Sequence, residues 1–184
     1  LPAATGAPAS DAARTEFRAA WAGLLPSACQ VPTSLLLRDF HLGNLMHLAG
    51  RPGVRACGLL DIQDAGLGPV TYDLVSLLED TRLIVDAAAG ELKATYLAAF
   101  PDLDRVAFET SYAILGAMRQ CRVLAVFARL AAAGRTGYLQ HLPRAWRLLD
   151  RKLKLPELSP LAAWFARHLP PERRFSAALR PPAG

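Results

Sequence analysis

The chain has 184 residues, 52% of them hydrophobic and 20% charged, with a formal net charge of +5 from 21 Lys and Arg against 16 Asp and Glu. That length suits about one domain with a core of its own, and the composition excludes a disordered tail, a collagen-like repeat and a low-complexity linker. No apolar run approaches the ~20 residues that cross a bilayer, so no membrane partner is expected.

The first residues lack the basic-then-apolar pattern of a signal peptide. The three cysteines, Cys29, Cys57 and Cys121, are odd in number and unpaired in spacing. This argues against a disulfide framework or a zinc site and suits the cytoplasm. Of the 21 basic residues, 18 are Arg. Guanidinium groups favour phosphate or carboxylate ligands over polycations. They are spread along helical stretches without interleaved aromatics, so no nucleic-acid partner is expected.

In chain order, residues 1–10 (LPAATGAPAS) read as a loop, with Ser10 an N-cap for a helix that carries Phe17, Trp21, Leu24 and Leu25 up to Pro26. Leu35-Leu36-Leu37 reads as a strand, RDFHLGN as a loop, and Leu45 to Leu48 as a second strand. Arg51-Pro52-Gly53 is a turn, and Ala56 to Leu60 a third apolar run that ends in Asp61. Gly66, Gly68 and Pro69 mark a second loop, a lone glycine pair and not a phosphate cradle. After Asp73, a good N-cap, a helix begins with Leu74, Leu77 and Leu78. Further helices are expected over about 86–100, 104–133 with Gly134 as its stop, 139–153 and 160–168, followed by a frayed tail. His47, His141 and His168 have no ligand spacing and read as ordinary surface or core residues. The expected fold is mainly α with a small β hairpin region.

Chemistry concentrates in the strand-loop region. Two neighbouring strands can deliver Asn44 and Asp61 to one point, with Asp39 close by. An oxygen-rich cluster of this kind suits Mg²⁺, which takes one or two carboxylates and completes its shell with phosphate and water. A further carboxylate off the metal can accept a hydroxyl proton during phosphoryl transfer.

LLLRDFHLGNLM followed by GLLDIQDAGLGPVTYDLVSLLED resembles the aminoglycoside phosphotransferase family of the protein-kinase-like superfamily. It is most similar to the branch of cell-wall amino-sugar kinases, which carries R-D-[FY]-H-x-x-N-L, then D-[FI]-Q-D-A, then Y-D-L. The likeness is dense from Leu35 to Arg82 and diffuse to about Arg174.

The resemblance implies a kinase-like C-terminal lobe over residues 35–174, preceded by a leading loop and helix (1–34) and followed by the tail (175–184). It implies ATP as co-substrate, Mg²⁺, and an amino sugar phosphorylated on its anomeric hydroxyl, as in peptidoglycan recycling. Position by position, Asp39 would be the catalytic base, Asn44 and Asp61 would hold the metal, and Asp73 would brace the catalytic loop through backbone N–H groups. Arg38 would pair with a neighbouring acid. His41 would either touch substrate or bond the loop backbone. Asp64 would contact substrate or cap its loop. Arg119 and Arg122 would either take the lactyl carboxylate of N-acetylmuramate or lie on a solvated face.

Two departures stand out. Leu37 occupies the place where kinases often carry His. Lys93, Lys152 and Lys154 all fall in the helical second half, and no Gly-rich loop precedes Asp39. The nucleotide lobe is therefore expected to lie outside these residues, and the chain to be the C-terminal lobe of a longer enzyme, weak alone. Other alcohol acceptors, or a non-catalytic module, are the alternatives.

Overall fold

A computed structural model describes residues 8–82, 85–175 and 179. Helix α1 (Asp11–Ala28) opens as expected, with Ser10 Oγ accepting the Ala13 N–H at 3.2 Å. It does not stop at Pro26 but runs through it to Ala28. A proline near the end of a helix removes one backbone donor and still leaves the last turn to close, as the bond from Cys29 N to Pro26 O at 3.2 Å does here.

Four short strands follow: β1 (Thr33–Leu36), β2 (Leu45–His47), β3 (Cys57–Leu59) and β4 (Gly66–Pro69). They form two antiparallel pairs, β2 with β3 and β1 with β4. The glycine-rich segment 66–69, read as a loop, is thus a strand. Ser34 faces Gly68 in the register, and a side chain at Gly68 would sit 2.8 Å from Leu36 Cδ2. The glycine is there to let two backbones approach, a use of glycine that looks like a turn in sequence.

The helices are α2 (Thr71–Leu78), α3 (Asp86–Ala99), α4 (Arg105–Ala132), α5 (Leu142–Leu153) and α6 (Ser159–His168). Asp104 caps α4, its carboxylate accepting the N–H groups of Val106 and Ala107 at 2.8 and 3.0 Å. The helix expected over 139–153 is divided. Residues Thr136–His141 form 3₁₀ turns, and the α-helix starts at Leu142 with Pro143 in its first turn, where a proline costs no hydrogen bond.

The core forms around α4. Phe108, Ile114 and Ala117 from that helix are buried with Val75 and Leu78 of α2, Ala145 and Leu149 of α5 and Leu161 of α6. Each fully buried Leu or Phe contributes roughly 1.5–3 kcal/mol. Polar clasps fix the helix ends inside this core. Ser111 Oγ donates to the Ala28 carbonyl at 2.7 Å and lies 2.6 Å from Thr71 Oγ1, so α1, α2 and α4 meet at one buried point. Trp164 Nε1 donates to the Ala13 carbonyl at 2.8 Å and ties α6 to α1. The tail read as frayed lies mostly outside the described residues, although Leu179 within it is buried. Cys29, Cys57 and Cys121 are free thiols. His168 Nε2 lies 2.9 Å from Glu16 Oε2 at the surface. Among the described residues, no helix is long and apolar enough to cross a membrane.

Candidate active site

The loop between β1 and β2 turns sharply. Asp39 N donates to the Leu37 carbonyl at 2.9 Å, and Arg38 between them has φ +70°. This is a γ-turn of the strained, positive-φ kind, unfavourable for a side chain as large as arginine. What holds it is Asp73. Its carboxylate accepts the N–H of Leu37 at 2.6 Å and of Arg38 at 3.0 Å.

Asp73 is therefore not the N-cap that its position before an apolar run suggested. α2 begins two residues earlier, at Thr71. Asp73 sits in the first turn, where the helix field favours a carboxylate, and turns its side chain across to the loop. Burial raises its carboxyl above the ordinary value near 3.8, against the two N–H groups, which pull it down.

Asn44 ends the 3₁₀ turn Leu42–Asn44 just before β2. Its Nδ2 donates to the Asp39 carbonyl at 2.9 Å, which leaves its Oδ1 as a free-standing oxygen donor, and its own carbonyl accepts Leu60 N at 2.9 Å. The β2–β3 ladder thus extends one step to set Leu60, the residue before Asp61, opposite Asn44. Asp61 also has positive φ, +59°, and Gln63 Nε2 donates to its Oδ1. Two non-glycine residues in the left-handed region, Arg38 and Asp61, flank one loop cluster, the kind of strain found at functional sites.

His41 is buried, and its Nδ1 accepts the Gly43 N–H at 3.0 Å. A neutral ring with Nδ1 accepting carries its proton on Nε2, and Nε2 lies 3.6 Å from Asp39 Oδ2. Of the two roles expected for His41, the loop-bonding one is present. Arg38, expected to pair with an acid, instead gives its guanidinium to the backbone carbonyl of Asp64 at 3.4 Å. That bond joins the two loops through Asp64's main chain.

The loop opens onto a cavity of about 150 Å³ lined by the charged or polar Arg38, Asp39, Tyr72, Asp80, Arg82, Arg119 and Arg122 and by the apolar Val123, Val126 and Phe127. Arg119 is not on a solvated face. It is buried, with one nitrogen 3.1 Å from Asp80 Oδ2 and another 3.4 Å from the Glu79 carbonyl. Arg122 is exposed and donates to Tyr72 Oη at 3.2 Å. Tyr72, Asp80 and Arg82 follow no spacing rule that would mark them as cavity residues; they reach the loop through the packing of α2 and the segment after it against α4. A larger groove of about 950 Å³ between α1, α4, α5 and α6 is mainly apolar, with Arg122, Arg129 and Arg174 also in its lining, and holds none of Asp39, Asn44 or Asp61. Of these three residues, the smaller cavity has Asp39 in its lining.

A model of the phosphotransferase enzyme family (APH) matches residues 2–109, more than half of the chain and the whole of this loop cluster. The chain belongs to the phosphotransferase enzyme family. It is 40% identical over 168 residues to the N-acetylmuramate/N-acetylglucosamine kinase of Caulobacter vibrioides, covering 89% of this chain and 46% of that protein. Proteins of the same name from Neisseria meningitidis and Pseudomonas putida are 36% and 30% identical, over 76% and 85% of this chain and 43% and 48% of theirs. The chain spans somewhat under half the length of these relatives. Its mainly helical architecture with small antiparallel strand pairs matches the expected C-terminal portion of a kinase-like phosphotransferase.

Proposed function

We propose that this phosphotransferase chain is the acceptor-binding and catalytic half of an ATP-dependent amino-sugar kinase. It would transfer the γ-phosphoryl group to the anomeric hydroxyl of N-acetylmuramate or N-acetylglucosamine in the cytoplasm. The observation that carries the reading is the clamp of Asp73 on the Leu37–Arg38 turn, which holds the loop so that Asp39 helps to line a small cavity. The names of the relatives support the choice of sugar.

In this reading Asp39 accepts the proton of the sugar hydroxyl and aims its oxygen at the phosphoryl group. His41 Nε2 lies 3.6 Å from the Asp39 carboxylate, so the ring packs beside the proposed base. The free Oδ1 of Asn44 and the carboxylate of Asp61 are hard oxygen donors, one amide and one acid, and fit Mg²⁺. The metal, when bound, would neutralise charge on the nucleotide phosphates. Leu35 and Leu67, facing each other on β1 and β4, and Leu59, Leu60 and Ile62 around β3 leave exposed apolar surface beside these residues. That surface suits a nucleotide-binding lobe, which the longer relatives have length to supply.

The test is a phosphorylation assay of the complete enzyme with ATP, Mg²⁺ and N-acetylmuramate. Asp39→Asn is expected to lower kcat by ~10²–10⁴-fold with little change in KM, the range for a lost general base. Asp61→Ala is expected to abolish turnover. An Asp39→Asn enzyme that keeps most of its rate would overturn the assignment.

A further inference from the structure

Helix α2 ends at Leu78, and carbonyls at a helix end need donors from elsewhere. Here two other helices supply them. Gln120 Nε2 and Arg119 Nη1 of α4 donate to the Glu79 carbonyl at 3.1 and 3.4 Å. Arg144 Nε, from the first turn of α5, donates to the Asp80 carbonyl at 3.0 Å.

Arg144 spends its other two nitrogens on a second target. Nη1 and Nη2 meet the two carboxylate oxygens of Asp86 at 2.6 and 2.7 Å, a parallel pair of charged hydrogen bonds. Asp86 is the first residue of α3. One buried guanidinium therefore holds both the start and the end of the connection between α2 and α3. This grip needs a rigid planar fork, for which lysine has no equivalent.

The connection matters because Asp80, Thr81 and Arg82 line the same cavity as Asp39. Arg144 is not in that lining. It holds the main chain of Asp80, while the Asp80 side chain organises the cavity. The Asp80 carboxylate accepts the Arg82 N–H at 2.7 Å and meets the guanidinium groups of Arg119 and Arg82 at 3.1 and 3.5 Å. The Asp39 loop is fixed by a different group, the carboxylate of Asp73. The base and the Asp80–Arg82 wall thus have separate supports.

Resting on the amino-sugar reading above, we propose that Arg144 is a positioning residue for the acceptor. It sets the Asp80–Arg82 wall relative to Asp39, and so fixes where the sugar sits when its hydroxyl meets the base. It acts through Asp80 rather than by touching the sugar. Loosening its grip frees the wall and leaves Asp39, Asn44 and Asp61 on their own supports. Acceptor binding is therefore weakened and nucleotide binding is not.

The experiment is steady-state kinetics of the complete enzyme, with N-acetylmuramate and ATP varied in turn, for the wild type, Arg144→Lys and Asp86→Ala, and with the melting temperature of each. Arg144→Lys is expected to raise the KM of the sugar roughly tenfold or more, as lost charged hydrogen bonds allow, and to leave the KM of ATP within about twofold. Asp86→Ala removes an exposed side chain and releases one end of the grip, so it should fall between. It decides the matter if Arg144→Lys does not fold. An arginine with a structural role alone would lower the melting temperature and leave the ratio of the two KM values as in the wild type. That result, or an equal rise in both KM values, overturns the proposal and leaves the amino-sugar reading in place. A wild-type enzyme that phosphorylates neither N-acetylmuramate nor N-acetylglucosamine overturns the reading itself, and the proposal with it.

Discussion

The Asp73 carboxylate accepts the backbone N–H of Arg38 at 3.0 Å, although the two residues are 35 positions apart, and so holds a strained turn that the chain would not keep by itself. Asp73→Ala leaves the N–H groups of Leu37 and Arg38 without their acceptor, at a cost of about 1–3 kcal/mol. Hydrogen exchange is the sensitive measurement. The amides of Leu37 and Arg38 are expected to lose protection in Asp73→Ala while those of α4 keep it.

The same residue predicts a pH dependence. Burial raises the folded-state carboxyl of Asp73 above its ordinary value near 3.8. The folded state then holds that proton more tightly than the unfolded one. The stability tied to it is present below the ordinary value and lost as pH rises through the raised one. Asp86 has the opposite sign. The hydrogen-bonded Arg144 guanidinium, at 2.6 and 2.7 Å, holds its carboxyl below 3.8. Its stabilisation is present above the ordinary value and lost as pH falls through the lowered one. Urea melts across pH should show Asp73→Asn closing its stability gap to the wild type as pH rises above about 4. Asp86→Asn should close its gap as pH falls below it.

A close contact at Gly116 gives a prediction with a change of sign. A side chain there would lie 2.2 Å from Lys152 Cε and 2.6 Å from its Nζ. Lys152 is buried and pairs with Glu79 at 2.9 Å, so shifting its ammonium end aside disturbs that pair. Gly116→Ala is expected to break that pair and cost about 3–5 kcal/mol. In a Lys152→Ala background the obstruction is gone. There the added methyl should stabilise by up to about 1 kcal/mol, since alanine is the better helix former. Denaturant unfolding of the four chains in this cycle checks it. A cost for Gly116→Ala that is the same in both backgrounds would refute the packing argument.

Arg119 and Arg122, three residues apart on one helix, should respond differently to truncation. Arg119→Ala deprives Asp80 and the Glu79 carbonyl of buried donors. It should cost about 1–3 kcal/mol, a fall of several degrees in melting temperature for a chain this long. Arg122→Ala, which removes an exposed side chain bonded to the Tyr72 hydroxyl, should change the melting temperature little.

Some of this was written in the chain itself. The apolar periodicity of 105–132 and the caps Ser10 and Asp104 are local signals, because a helix end must satisfy its own first N–H groups with nearby side chains. The order R-D-F-H-L-G-N, apolar run, D-I-Q-D was likewise enough to mark Asp39, Asn44 and Asp61 as residues to watch. Other features were out of reach. Gly66-x-Gly68 looks like a loop until β1 lies against it, and Asp73 looks like a cap until the Leu37–Arg38 turn is seen to need its oxygens. Arg119 and Arg122 are the same residue type at helical spacing. Only the place of Tyr72 on α2 and of Asp80 just beyond its end makes one a buried strut and the other an exposed partner of a hydroxyl. Sequence sets what each segment can satisfy by itself, whereas partners that meet across long stretches of chain are chosen by the packing of the whole.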